Sequence, residues 1–453
     1  MASTLTIEQP VGGLMEGVTE HLNSDAVQAL ASGEPQWLQN RRMDAWASYE
    51  RTPMPTTRLE EWRYTNLDRK LKLATLEPLG WSERSFSKES APARLVAEME
   101  ADHESAGHLV ELDGSVAHVD LDPALASKGV VFMSLRTAVS EHPELLEEYL
   151  ATRALPAERG KFQALNAALW TDGILLYVPR GVQLEHPIRV SRWLSESGKA
   201  LFSRTLIVAE EGSQVSYVDE ILSDDLDAQS LVSSAVEVFA KDNAQVQYVS
   251  LQRLGRGPFH LSQQRTIAGK DSTLDTLNVN MGATTARVDL NAQLVGSGAN
   301  SDMLGLCFGE GDQHFDHNTS QDHVAPHAYS DLLYKGALDG KARSVFRGII
   351  KVHKGAQQTD AYQTNRNLLL SETARADSLP NLEIEADDVR CSHGATVGQL
   401  DQDHLFYLMS RGMSREVAER LVVIGFLGEV LSKLPLGGVV AKLSRAIEEK
   451  LHG

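Results

Sequence analysis

The segments IVAEEGSQVSYV (Ile207–Val218) and VFAKDNAQVQYV (Val238–Val249) superpose at an offset of 31 residues. Five pairs are identical: Ala209/Ala240, Gln214/Gln245, Val215/Val246, Tyr217/Tyr248 and Val218/Val249. Each copy is a polar turn followed by alternating apolar residues, the period of a strand with one buried face. Weaker copies follow in IAGKDSTLDTLNV (Ile267–Val279), VGSGANSDMLGLC (Val295–Cys307), LDGKARSVFRGIIKV (Leu338–Val352) and IEADDVRCSHGATVG (Ile384–Gly398). A strand–turn unit of this size hides its apolar face only against its neighbours, so the repeat predicts stacked coils. A β-sandwich also gives many short strands. The repeat tips the balance toward a β-helix or a closely related solenoid.

Working outward, the period-two pattern begins near Gly173, where GILLYVPRGVQL and HPIRV are short apolar runs broken by Pro and Gly. The segment before it reads as helices and polar connectors. Pro35 stands at the first position of a helix carrying Trp37, Leu38, Arg41, Ala45 and Trp46 at helical spacing. Ser140 is read as the cap of a helix with Leu145, Leu146, Tyr149 and Leu150 on one face, and Lys161–Trp170 as the last helix before the strands. Residues 84–107, rich in Ser, Ala and Glu, read as a mobile linker.

After Leu400 the pattern is helical again. Asp401 caps QDHLFYLMSR with Gly412 as its stop, and Ser414 caps a helix striped by Val417, Leu421, Ile424, Leu427 and Leu431 that Pro435 ends. A last amphipathic helix follows. This tail has two surfaces to satisfy, the end of the solenoid and another protein. The reading therefore has three parts: a helical region with linker over 1–168, the β-helix core over 169–400, and a helical region over 401–453.

Composition sets limits on function. The chain has 453 residues, is 42% hydrophobic and 23% charged, and carries a net charge of −19. Those proportions are ordinary for a globular protein with a core. Such acidity argues against a general nucleic-acid binder, because phosphate recognition needs a basic face. The start lacks the pattern of a secretory signal, and no run of about 18 apolar residues predicts a membrane span. The two cysteines, Cys307 and Cys391, suggest no disulfide framework and fit a reducing cytoplasm. Iron–sulfur clusters usually take four thiolates, so this chain cannot close such a site alone.

Three stretches invite a chemical reading. On an extended strand Cys391 and His393 point to the same face, a geometry for shared metal ligation or a lowered thiol pKa. The competing reading makes Cys391 a small core residue. His314, His317, His323 and His327 crowd HFDHNTSQDHVAPH, but without H-E-x-x-H they read as polar ladders on a solenoid face rather than a zinc site. GSGANS (Gly296–Ser301) lacks the third glycine and following helix of a dinucleotide fingerprint and reads as a turn. No P-loop, G-x-S-x-G or kinase motif is present, so no catalytic residue is assigned and the chain reads as an assembly platform rather than an enzyme.

The motifs taken together resemble a known family. LEEWRYTNL (Leu59–Leu67), FQALNAAL (Phe162–Leu169), YVPRGVQLEHPI (Tyr177–Ile188), VFRGIIKV (Val345–Val352), AQQTDAYQTNRNLLLS (Ala356–Ser371), IEADDVRCSHGATVGQLD (Ile384–Asp401) and FYLMSRGMSREVAERLVVIGFLGEV (Phe406–Val430) are similar, in order, to the SufB/SufD family of iron–sulfur cluster assembly proteins. The likeness is greatest to its SufD branch. SufB-type members carry a cysteine where this chain has Arg366, and a Glu-His-Glu-type stretch where it has Ser392-His393-Gly394.

The resemblance implies a mainly β protein: a right-handed parallel β-helix with helical N- and C-terminal regions, the latter binding an ATPase. It further implies a scaffold that pairs with a SufB-like paralogue and a SufC-like ATPase in the cytoplasm, away from nucleic acid and membrane. A homodimer in isolation is compatible with it. The implied cargo is a transient iron–sulfur cluster shared with SufB at the interface and not held stably by this chain alone, with reduced flavin suggested in the complex. His393 and Cys391 are the implied ligands to metal and cluster. Two alternatives stand beside this reading: a β-helix polysaccharide lyase or hydrolase, and the SufB-type paralogue.

Overall fold

The computed structural model describes residues 17–101, 104–433 and 436–452. Its centre is a parallel β-solenoid in which successive strands alternate between two ten-stranded sheets. The first sheet runs from Asp172–Val178 through Lys199–Ala209, Leu231–Ala240, Phe259–Ala268, Thr285–Leu294, His314–His323 and Arg343–Val352 to Arg375–Ile384. The second runs from Ile188–Trp193 through Gln214–Leu222, Gln245–Arg253, Thr273–Asn280, Asn300–Gly309, Tyr329–Leu338 and Thr359–Leu369 to Val389–Gln399.

The repeat that predicted the solenoid is its register. Val215 lies beside Val246, Tyr217 beside Tyr248 and Val218 beside Val249, while Ala209 lies beside Ala240 in the opposite sheet. Tyr217 and Tyr248 stack at 5.9 Å between ring centroids. Strand–turn units must keep this register, because a one-residue slip would turn every interior side chain outward. The turns repeat a positive-φ position at Gly212, Asn243, Asp271, Gly298, Gly311 and Gly340. Residues there must tolerate the left-handed region, which explains the Gly/Asn/Asp composition of each turn. GSGANS is one of these turns, as expected.

The starting end of the solenoid is closed by elements that the helical reading of the N-terminal third missed. Gly107–Leu112 adds in parallel to the second sheet, Ser115–Leu121 pairs antiparallel with it, and Val131–Ser134 pairs antiparallel with the first sheet. The supposed linker is also structured. Within it, Ala93–Glu100 is a helix whose Leu95 is buried against Val110, Trp193 and Leu222, and whose Arg94 donates to two backbone carbonyls. Asp102 and His103 lie outside the described residues. Ser140 is not a cap. It lies inside Leu135–Glu141, which Ser134 caps, and Pro143 opens the next helix, Pro143–Tyr149. Pro35 sits just before the helix Gln36–Arg51, whose buried face uses Arg42 rather than Arg41.

At the other end, the caps fall where expected. Asp401 accepts from the N–H groups of Asp403 and His404, Ser414 from that of Val417, and Gly412 stops the first helix at φ +92°. Pro435 lies outside the described residues. The helices Arg415–Ser432 and Gly437–His452 do not close the end of the solenoid. They lie along the outer face of the second sheet, where Val423, Leu427, Val430, Leu443 and Ile447 cover Val249, Leu251, Leu277, Leu304, Leu306 and Leu333. The apolar stripe is accordingly rotated from the one expected: Leu427 and Leu431 are buried, but Leu421 is exposed. Lys442 anchors the last helix by an ion pair to buried Glu220.

Candidate functional site

Because the tail lies along the side, the final coil is left open. The strands Arg375–Ile384 and Val389–Gln399 each have a neighbour on one side only. Their other edges carry backbone groups without sheet partners, a template for pairing with another chain. Interior-facing side chains become surface here. Leu382, Ile384 and Val397 are 37%, 40% and 43% exposed, whereas Ile350 and Val352, one coil back, are fully buried. The mouth of the solenoid is thus an apolar rim that lacks the next coil.

Cys391 and His393 stand on this mouth. Following the register back, Cys391 continues the interior column of Ala361, Ser330, Ser301, Leu274, Val246 and Val215. His393 continues the column of Gln363, Leu332, Met303, Thr276, Tyr248 and Tyr217. The two positions that read Val-x-Tyr in the first repeats therefore read Cys-x-His in the last. At the open coil, packing side chains of the interior columns give way to a thiol and an imidazole.

The two side chains differ in setting. Cys391 is half-buried against the apolar group of Ile350, Val352, Ala356 and Ala361, while His393 is exposed. Burial, with the charge of Asp360 adding, raises the Cys391 thiol above its ordinary pKa. The thiol is therefore protonated at neutral pH, which makes it a poor nucleophile. A Cys–His catalytic pair is not supported. A metal ion arriving at the mouth can displace the thiol proton and take one sulfur and one nitrogen ligand from this face. Among the described residues no three His, Cys, Asp or Glu side chains are grouped to hold a metal ion. Two ligands make half of a tetrahedral site.

Sequence reasoning missed Gln363. It lies directly behind His393 in the register, and its amide nitrogen and oxygen are buried with no partner. It is packed so tightly over Gly348 that a Cβ there would meet the amide at 2.5 Å. The available signal was the repeat: one coil, 30 residues, separates Gln363 from His393. Cys307, by contrast, is 4% exposed, with its thiol pushed up to about 12 by burial. It is an interior packing residue, and both cysteines are free. Arg366 points out toward the C-terminal helix, bonding Glu429 at 3.4 Å, and is not part of the mouth.

The histidine cluster does not converge. His314 faces outward under the N-terminal segment and bonds the Thr65 hydroxyl at 2.9 Å. His317 meets Asn280 at 3.1 Å and the edge of Tyr334, and His323 meets Ser330 at 2.8 Å, both inside the solenoid. His327 is a turn residue at φ +59°. These histidines do not form the expected polar ladder on a solenoid face either: in the register His317 lies between Val288 and Phe346, and His323 between Leu294 and Val352. Burial keeps three of the rings neutral: His317 and His323 fall to about 4 and His314 to about 3.

Comparisons with known proteins give one answer. Residues 19–190 match the description "SufBD protein N-terminal region", and residues 192–426 match "SUF system FeS cluster assembly, SufBD core domain". The chain is 35% identical over 424 residues to the iron–sulfur cluster assembly protein SufD of Bacillus subtilis, covering 92% of this chain and 95% of that protein. It is 28% identical over 446 residues to an iron–sulfur cluster assembly SufBD family protein of Staphylococcus epidermidis, covering 96% and 94%. A SufBD family protein of Staphylococcus aureus is 27% identical over 450 residues, covering 97% and 94%.

Proposed function

We infer the function from one premise: the chain belongs to the SufBD family and is a SufD-like iron–sulfur cluster assembly protein. That membership displaces the polysaccharide lyase or hydrolase considered above. Beyond it, we propose that the protein is a non-enzymatic half-scaffold. His393 and Cys391 contribute ligands to a nascent cluster, and a SufB-like paralogue docked on the open coil contributes the rest. The cluster is cargo, formed and passed on, and this chain alone does not hold it.

The observation that carries this reading is the uncapped coil. One structural feature presents two unpaired strand edges, an apolar rim and two metal-ligating side chains together. Edge pairing and rim burial supply affinity for the partner, and the ligands then lie at the centre of the interface. The same edges are free to pair with a second copy of this chain when the partner is missing.

A second surface suits an ATPase of the SufC type. Phe406, Tyr407, Met409 and Leu421 are 73%, 57%, 41% and 43% exposed on the two helices that follow the solenoid. Four large apolar side chains left exposed on two adjoining helices suit a protein contact. Free cysteines suit a reducing compartment, the cytoplasm, and among the described residues no helix is long and apolar enough to cross a membrane.

Co-expression with a SufB-like and a SufC-like protein, followed by mass measurement of the purified complex, tests the arrangement. Ile384→Asp with Val397→Asp on the rim should abolish pairing with the SufB-like chain while leaving ATPase capture through the tail. Full pairing by the rim variant would place the interface elsewhere.

A further inference from the structure

A second cleft lies between the outer face of the first sheet and the N-terminal segments around Leu59–Trp62 and Arg159–Gln163, and reaches the strand Arg343–Val352 next to the open coil. Its volume is about 570 Å³, within the range of sites for small organic molecules. Three motifs noted in the sequence reach it, through Trp62, Phe162 and Arg347, although none of those residues belongs to the half-site.

The cleft is cationic in a chain of net charge −19. Arg159, Arg265, Arg287 and Arg347 all line it. Arg287 is neutralised by Asp289 at 2.8 Å and Asp316 at 2.6 Å, and stacks on Trp62 at 3.8 Å. Arg265 is not neutralised in this way. Its side chain is 5% exposed, yet its Nε and one terminal nitrogen have no hydrogen-bond partner. The carboxylate nearest to it, on Asp322, is 4.0 Å away and already accepts from His353 at 2.7 Å and Gln293 at 3.0 Å. The Nε of Arg347 is likewise buried without a hydrogen-bond partner, with Glu60 3.7 Å off. Burial, and after it the charge of Arg159, pulls the Arg265 guanidinium down to about 10.

Buried guanidinium groups without partners are costly, and a structure keeps them where something else supplies the negative charge. Arginine's planar fork matches phosphate oxygens, and two or three such forks around one cavity favour a dianion over a single carboxylate. Apolar side chains share the lining with amides and hydroxyls: Phe162, Leu155 and Ile349 stand beside Gln263, Asn291 and Ser320. We propose that this cleft binds a small phosphorylated molecule, a phosphate monoester or diphosphate carrying an apolar or planar group, held by Arg265, Arg347 and Arg159. The site is separate from the half-site, and its failure leaves the cluster-assembly reading untouched.

Calorimetric titration of the full chain tests it, with pyrophosphate and phenyl phosphate as probes and phenol and benzoate as controls. The parent should bind phenyl phosphate with an affinity tighter than about 1 mM. Phenol and benzoate should bind at least about tenfold more weakly, since they lack the dianion. Arg265→Gln and Arg347→Gln should each weaken phosphate binding by at least about tenfold, the loss of one charge-assisted fork. Without ligand, Arg265→Gln should melt no lower than the parent, because it removes an uncompensated charge. Should Arg265→Gln fail to fold, Arg347→Gln, whose side chain is 23% exposed, decides alone. Failure of the parent to take up either phosphate probe, or full binding by the folded arginine variants, overturns the proposal.

Discussion

The neutral histidine inside the solenoid gives a stability prediction with a sign and a size. His317 is buried beside Tyr334 and Asn280, and burial lowers its pKa from 6.5 to about 4. A ring that must stay neutral in the fold but takes up a proton when unfolded makes stability depend on pH. Its contribution is fully present above the unfolded value of 6.5 and is lost as pH falls toward the folded value of about 4. At about 1.4 kcal/mol for each tenfold difference in proton affinity, the loss between about pH 7.5 and pH 4.5 is about 2.5 kcal/mol.

His317→Gln isolates this contribution. The amide keeps a polar partner for Asn280 but cannot titrate, and every other buried group titrates alike in both proteins. Urea unfolding at the two pH values is the assay. The variant should be less stable than the parent near neutrality through imperfect packing, and the gap should shrink by about 2.5 kcal/mol at the lower pH. A gap that does not change with pH refutes the assignment of His317 as a neutral interior residue.

Truncation from Asp401 should destabilise the β-body as well as release the ATPase, because the tail covers Leu251, Leu277, Leu304 and Leu306; circular dichroism of the truncated chain would show a lowered melt. Phe406→Asp with Leu421→Asp should instead keep stability within about 0.5 kcal/mol and abolish ATPase capture in a pull-down, since both side chains are exposed. Tyr248→Ala, which removes a buried ring stacked on Tyr217, should cost about 3–5 kcal/mol in a denaturant melt. The purified chain alone should yield no chromatography-stable cluster on anaerobic reconstitution, read by visible absorption and by iron and sulfide content, since two cysteines cannot supply four thiolates.

The repeated Val-x-Tyr made the solenoid legible, because two successive coils set the same side chains at the same interior positions, while later coils vary them. Helix ends were legible where a side chain caps them, as at Asp401 and Ser414. The strands Gly107–Leu112 and Ser115–Leu121 were not, since they join the sheet at its start and carry no copy of the repeat. The linker reading of 84–107 failed because one buried leucine and two arginine-to-carbonyl bonds suffice to hold a polar helix in place. The spacing of Cys391 and His393 announced a shared face, but not that this face opens at the last coil. That depended on the tail folding along the side of the sheet, a tertiary choice its amphipathic pattern left open.

The central claim is that the open coil carries half of a cluster site. It is tested most directly by iron and acid-labile sulfide analysis of the complex with its SufB-like and SufC-like partners, comparing the parent with His393→Ala. The exposed imidazole has little packing to lose, so the variant should melt like the parent and form a complex of the same mass. Its cluster content should fall at least about tenfold, as expected when a metal site loses a ligand. A His393→Ala complex of normal mass that carries the full complement of iron and sulfide would contradict the account.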